Sequence, residues 1–341
     1  MNHHNNALVL GASGGIGGEV ARQLRDAGWQ VRAMKRGLNH PSIDTHGLEW
    51  VPGDAMHGAD VHAAAQGCAV IVHAVNPPGY RRWSDLVLPM IDNTIAAAQA
   101  QGATVVLPGT VYNYGPDAFA TLQEDSPQHP TTRKGAIRVA LERRLQEASD
   151  AGAMRAIVVR AGDFFGPRSG NNWLAQGIVK PGRPVRTIQW PGAPGIGHQF
   201  AYLPDVARTM VALLEQRSHL PAFATFHMAG HWDADGTQLS QAIQRVVVRQ
   251  GDLRPKVQTF PWWLVRCAAP FIPTLRELLE MRYLWQQEVR MDNRRLVEVL
   301  GSEPHTPMEE AMTATLQGLG CLPSSTSAAT TAQRPRAASH H

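Results

Sequence analysis

Cysteine is scarce in this chain of 341 residues: Cys68, Cys267 and Cys321 are odd in number and far apart. They give neither a disulfide framework nor metal-ligand spacing, which suits a reducing compartment. No apolar run approaches the ~20 residues that a membrane-spanning helix needs. Residues 1–6 are polar and pass straight into an apolar segment, without the pattern of a secretion signal. Blocks of like charge are missing too. The net charge is +4 and the pI near 9.2, but the basic residues are scattered, apart from the pairs Arg81 and Arg82, Arg143 and Arg144, Arg294 and Arg295. Solvated helix faces are expected from that pattern rather than a nucleic-acid surface. There is no solenoid-type repeat. The absences leave a soluble, cytoplasmic chain with no transmembrane segment and no nucleic-acid partner as the expectation.

What is present is a core-forming composition, 43% hydrophobic against 18% charged, which argues against global disorder. Residues 7–10 are a short apolar run bounded by glycine, as a buried parallel strand requires. A glycine-rich turn follows over 11–18, then a helix over 19–27 with Val20 and Leu24 four apart, ended by Gly28. Strands at 29–34, 48–51, 69–73, 104–107 and 156–159 alternate with helices ending at 66 and spanning 86–100 and 137–147. That alternation predicts an α/β fold with a doubly wound parallel sheet. The pattern loosens from 166. Glycine- and proline-rich loops cover 166–200, followed by a helix over 204–216 with proline in its first turn, a strand over 224–228, and helices over 238–249, 275–288 and 307–319. These pieces read as a smaller C-terminal lobe, 166–322, interleaved with the core at 1–165. Residues 323–341 are rich in Ser, Thr and Ala, and a disordered tail is expected there.

Gly11, Gly14 and Gly17 stand at a spacing of three and three between the first strand and the first helix. Residues without Cβ let backbone amides approach a pyrophosphate, and the helix N-terminus adds partial positive charge. The strand–turn–helix context makes this a dinucleotide loop. An acidic residue at the end of the second strand would bind the ribose diol of NAD(H). Lys35 and Arg36 stand there instead, and cations suit a 2′-phosphate. NADP(H) is therefore favoured, with NAD(H) open. Asp54, after the third strand, is suited to accept from an adenine amino group or to cap the next helix.

With these residues in view, the chain resembles the extended short-chain dehydrogenase/reductases, the NAD-dependent epimerase/dehydratase-like proteins. The resemblance rests on the glycine spacing, Gly53-Asp54, the strand end His73-Ala74-Val75-Asn76, the segment RAGDFFGP over 160–167, and Tyr202 to Ala207. It extends to Asp292-Asn293 through Leu300-Gly301 to His305-Thr306-Pro307. It spans about residues 7–320. It implies a Rossmann-type fold with a C-terminal substrate lobe, and cofactor contacts at Gly11, Ser13, Gly14, Gly15, Ile16, Gly17, Lys35, Arg36, Asp54, Ala55, Ala74 and Asn76. The family's chemistry uses a Ser or Thr with a Tyr and a Lys four apart on one helix face. The lysine lowers the tyrosine pKa, and the tyrosine passes a proton as hydride moves.

Here the chain departs from its family. Thr110 occupies the hydroxyl position, but Lys134 and Arg138 stand where Tyr and Lys belong, and Tyr-x-x-x-Lys occurs nowhere among Tyr80, Tyr112, Tyr114, Tyr202 and Tyr283. Arg138 is a poor proton relay but suits a ribose or phosphate. Lys134 is suited to acid/base work if burial or Arg138 depresses its pKa; otherwise it is a solvated helix residue. Tyr112 is an alternative proton donor from the next strand end, while Tyr114 reads as packing. Asp163, Phe164 and Phe165 are expected to line the substrate pocket. The histidines show no metal spacing, and no metal site is expected. The aromatic stretch 261–272 reads as lobe packing, with a substrate cap, a homodimer contact or a membrane contact left open. Two readings follow: an NADPH-dependent oxidoreductase or epimerase-like enzyme acting on a small carbonyl or alcohol, and a non-catalytic NADPH-binding redox sensor. A sugar-nucleotide epimerase is the weaker third, because such enzymes rely on the missing tyrosine.

Overall fold

The computed structural model describes residues 5–77 and 83–323. Tyr80, Arg81, Arg82 and positions 324–341 of the expected tail lie outside the described residues. The first half alternates strand and helix: β1 (Asn6–Leu10), α1 (Gly15–Asp26), β2 (Gln30–Lys35), β3 (Ser42–Ile43), β4 (Glu49–Pro52), α2 (Gly58–Ala65), β5 (Val70–His73), α3 (Trp83–Gln101), β6 (Thr104–Gly109), β7 (Ala120–Leu122), α4 (Arg133–Asp150) and β8 (Arg155–Arg160). The second half contains β9 (Asp163–Phe165), β10 (Thr187–Trp190), β11 (His198–Tyr202), α5 (Leu203–Glu215), β12 (Phe223–His227), β13 (His231–Asp233), α6 (Gln238–Arg249) and β14 (Lys256–Thr259). It closes with α7 (Trp262–Ala268), α8 (Pro273–Glu280), β15 (Val289–Met291), α9 (Arg294–Leu300) and α10 (Met308–Gly318).

One sheet runs in the order β12-β8-β6-β5-β1-β2-β4-β3. Its pairs are parallel except β3 against β4. This is the doubly wound Rossmann-type sheet that the alternation predicts. Its central strands are apolar on both faces because both are covered. Along β1, Ala7 and Val9 enter one core while Leu8 and Leu10 enter the other, the period of two of a strand. On the first face, Val20 and Leu24 of α1 meet Val206 and Met210 of α5. On the second, Val61 of α2, Ile91 of α3 and Leu141 of α4 close the layer. Each such buried side chain contributes roughly 1.5–3 kcal/mol. The strand order reverses between β1 and β5, which opens a crevice at their carboxyl ends where α/β proteins bind ligands.

α5 and β12 lie beyond residue 165, yet both build this core. β9, β11 and β13 form a second sheet, and β10 pairs with β14. Together with α6 and α10 they enclose the lobe's own core around Ile188, Phe200, Ile243 and Trp285. Residues 166–200 are therefore more ordered than their glycine and proline content suggests, with β10 and a π-helical turn at Leu174–Ile178. α1 begins at Gly15 rather than at 19, because Gly18 N–H already closes a helical bond to the Gly14 carbonyl at 2.9 Å. The helix expected over 275–288 stops at Glu280, and a 3-10 turn, Arg282–Trp285, follows. That break brings the Trp285 ring to 5.2 Å from Trp173 and 5.7 Å from Trp190, an aromatic gain that a continued helix would forgo. No described helix is long and apolar enough to cross a membrane.

Candidate functional site

The glycine loop fits against the end of β5. Gly11 has φ +87°, and a Cβ there would lie 2.5 Å from the Ala74 carbonyl oxygen. A Cβ at Gly17 would lie 2.3 Å from the Gly11 carbonyl oxygen. Only glycine allows this turn to close with the two strand ends in contact. No side chain caps α1, and its first turn holds no acidic residue, so its amides and partial positive charge face an anion unopposed. Ser13 and Gly14 are exposed on the loop, while Ile16 packs against the core and holds the loop down. The cradle fits a dinucleotide pyrophosphate. A segment after β9 covers it: Ser169 lies where a Gly15 Cβ would fall, and Arg168 Nε donates to Glu19 of α1 at 3.0 Å. Sequence reading missed Arg168 and Ser169, since nothing in their spacing ties them to a loop 150 residues earlier.

At the neighbouring sheet edge Lys35 and Arg36 are exposed at the end of β2. Arg36 Nη1 is 4.0 Å from Asp54 Oδ2, with the guanidinium side chain 72% exposed. Lys35 Nζ sits 5.6 Å from the centre of the Trp50 ring. Asp54 accepts from Met56 N–H at 3.0 Å. It caps a turn rather than a helix, because α2 starts only at Gly58. Ala55 is buried beside it.

From the crevice a cavity of about 340 Å³ opens towards the lobe. Asn76, Gly109, Thr110 and Gly162 line its sheet side; Trp83 and Arg138 come from α3 and α4; Trp173, Phe260, Leu275 and Leu278 form the lobe side. Thr110 caps a 3-10 turn, Val111–Asn113, by accepting from Tyr112 N–H at 3.1 Å. That turn packs on α4 so closely that a Cβ at Gly135 would lie 2.2 Å from the Tyr112 carbonyl oxygen. The contact fixes Tyr112 on the cavity wall, together with Thr110 and Arg138. The Arg138 guanidinium lies 5.2 Å from the Trp83 ring centre.

Lys134 is placed differently. It is 2% exposed, and its ammonium lies 2.5 Å from Glu277 Oε2 and 3.0 Å from Glu280 Oε2. A third bond goes to the Glu277 carbonyl at 3.1 Å. The expected solvated or reacting lysine is thus a buried tie between α4 and α8, outside the cavity lining. The i, i+4 step puts Lys134 and Arg138 on one helix face, but α8 intercepts the first of them.

Asp163 and Phe164 line the cavity, whereas Phe165 is fully buried in the lobe core, 5.3 Å from the Tyr202 ring. Asp163 Oδ2 meets His198 Nε2 at 2.8 Å, and His198 Nδ1 faces the Leu284 carbonyl at 3.2 Å. Both ring nitrogens therefore face oxygens, which fixes the plane of the ring. The ring stacks on Trp285 at 3.8 Å.

Deeper, Arg160 is 1% exposed and pairs with Glu142, while its Nη1 donates to the Tyr114 hydroxyl at 2.6 Å. Tyr114 also meets His227 Nε2 at 2.9 Å. Burial pushes the Tyr114 hydroxyl up, against the pull of Arg160. Burial and then Arg160 push His227 down to about 3. The network holds the ends of β8 and β12, and Tyr114 packs within it. The fold also gathers Asp205, His231 and His305, whose ligand atoms lie within 4.8 Å of one another. Both Asp205 oxygens already accept from Thr306, through its backbone N–H and its hydroxyl, each at 2.7 Å.

The model of the NAD dependent epimerase/dehydratase family matches residues 7–229. A Synechocystis protein provisionally named dihydroflavonol 4-reductase is 36% identical over 67 residues, 19% of this chain and 19% of that protein. A 2-alkyl-3-oxoalkanoate reductase of Shewanella oneidensis is 29% identical over 103 residues, 30% of this chain and 26% of the reductase. These matches span well under half the length of either relative. Among solved structures, MoeE5 in complex with UDP-glucose and NAD aligns with a TM-score of 0.69 at 20% identity, over 92% of this chain and 98% of that one. That likeness is one of fold.

Proposed function

The chain belongs to the NAD-dependent epimerase/dehydratase family, and we propose that within it this protein is an NADP(H)-dependent oxidoreductase acting on a carbonyl or alcohol of a small molecule. The observation that carries the reading is continuity. The glycine cradle touches Ala74 and Val75, and Asn76, the next residue, already lines the cavity that holds Thr110 and Tyr112. The residues present fit the cofactor: Gly11 to Gly17 at the pyrophosphate, Asp54 and Ala55 towards the adenine, and Lys35 and Arg36 at a 2′-phosphate, with a lysine and an arginine where an NAD-binding acid would end the second strand. The bound nicotinamide would supply or take the hydride. Tyr112 then delivers or removes the balancing proton at the substrate oxygen, and Thr110 orients that oxygen. Arg138, on the same wall, stands in for the family's lysine as a fixed positive charge that does not itself exchange protons. Lys134 serves by holding α8 over the cavity. The free cysteines suit a cytoplasmic setting.

Nucleotide sugars fit less well, because among the described residues Arg138 is the one cation lining the cavity and a diphosphate calls for more. The sensor reading draws on Lys134 being committed to two carboxylates. NADPH oxidation with a panel of aldehydes and ketones decides between them. Turnover that Tyr112→Phe lowers about 100-fold or more, at unchanged NADPH affinity, supports the enzyme. Tight NADPH binding with no turnover across the panel would favour the sensor.

A further inference from the structure

Among the described residues, nine large hydrophobic side chains are exposed, and six of them fall between Leu253 and Ile272. Trp263 is 66% exposed and Phe271 85%. The apolar face is built, not frayed. On α7, Trp262 and Val265 turn inward while Trp263 and Leu264 turn out. The turn to α8 is then held by bonds from Phe271 and Ile272 N–H to the Ala268 carbonyl at 3.0 and 3.1 Å. Exposed apolar clusters of this kind mark an interaction surface.

Charge identifies the occupant. From Leu253 through Arg276 there is no acidic residue, and there are four basic ones, Arg254, Lys256, Arg266 and Arg276; Asp252 and Glu277 flank the stretch, and Glu277 and Glu280 of α8 are tied to Lys134. A second copy docking here would set like charges against each other, with no acid in the segment to pair them. An anionic lipid surface accepts both features at once, rings and aliphatic chains below the headgroups and cations among them. The same segment forms the cavity's outer wall through Phe260, Thr274 and Leu275. Trp262 and Trp173, with ring centroids 5.9 Å apart, join the outer face to the cavity.

We propose that the α7–α8 hairpin docks this protein on an anionic membrane surface, and that the cavity takes from it an amphiphile with an apolar chain and a carbonyl or hydroxyl end. The substrate half rests on the oxidoreductase reading; the docking half does not. The full chain is mixed with vesicles of phosphatidylcholine containing phosphatidylglycerol and floated on a density gradient, with NADPH binding followed separately by fluorescence. Wild type is expected to float, with a blue shift of tryptophan emission. Affinity should fall roughly tenfold or more in the exposed double variant Trp263→Ser/Phe271→Ser, and several-fold for Arg266→Glu or at high salt. Protein that stays at the bottom at millimolar lipid overturns the docking. So does a lipid-free dimer that the double variant converts to monomer, since a second copy then covers the face. NADPH oxidation that rises with ketone chain length supports the substrate class, and oxidation confined to short, water-soluble ketones overturns it. Vesicle binding without turnover on any ketone upholds docking and sinks the oxidoreductase reading instead.

Discussion

Replacing Gly11 by alanine separates two demands that the cradle makes on this position. The first is backbone conformation: φ of +87° costs an L-residue about 1–2 kcal/mol. The second is space. The added Cβ would meet the Ala74 carbonyl oxygen at 2.5 Å, its carbon at 2.7 Å and Val75 N at 2.9 Å. All three are backbone atoms, so no side chain can swing aside, and overpacking of this kind costs about 1–3 kcal/mol. Gly152 supplies the control. Its φ is +84°, and nothing lies within 4 Å of a Cβ built there. Gly152→Ala should therefore lose about 1–2 kcal/mol of stability and keep its NADPH affinity. Gly11→Ala carries the same conformational cost, and the steric part falls on the loop itself, which must withdraw from β5. If it appears in binding, 1–3 kcal/mol weakens NADPH by about 5- to 150-fold. Urea unfolding and fluorescence titration of both variants measure the two parts. The reasoning fails if Gly11→Ala binds NADPH within twofold of wild type and is no less stable than Gly152→Ala.

Two further outcomes follow from buried charges. His73, His227 and His231 are held at about 3, 3 and 4 against an ordinary 6.5, chiefly by burial. Their folded values are depressed, so the stability that they contribute is present above about pH 6.5 and is lost as pH falls through 4 to about 3; between pH 6.5 and 5 the three together remove on the order of 5 kcal/mol. Urea unfolding at pH 7 and pH 5 reads this, and equal midpoints would refute it. Lys134→Met leaves Glu277 and Glu280 without their cation. It should cost about 1–3 kcal/mol, below the figure for a fully buried pair because both carboxylates are partly solvated, and Lys134→Arg should restore most of the loss together with turnover. Turnover abolished in both variants at wild-type stability would make Lys134 the acid/base after all.

The sheet was legible because its signals are local. Apolar runs such as 7–10 and 69–73 are short and fit strands buried on both faces, and the glycines at 11, 14 and 17 announce their turn. The cavity was less legible, because its wall comes from residues that no local pattern joins: Trp83, Trp173, Phe260 and Leu278 meet only through the fold. Lys134 shows the limit most sharply. Helix periodicity places it beside Arg138, but its partners sit more than 140 residues away on a helix whose position no spacing reveals. The end of that helix at Glu280 was hidden likewise, since the aromatic contacts of Trp285 that reward the break are all long-range.

Binding of NADP(H) by the β1–α1 cradle and the cations after β2 is tested most directly by a pair of fluorescence titrations of the purified protein, one with NADPH and one with NADH, repeated on Lys35→Ser/Arg36→Ser. NADPH is expected to bind tighter by about tenfold or more, the worth of one to two charge-assisted bonds to the 2′-phosphate, and the double variant to erase the preference while keeping NADH affinity. Equal or tighter binding of NADH by the wild type would contradict it.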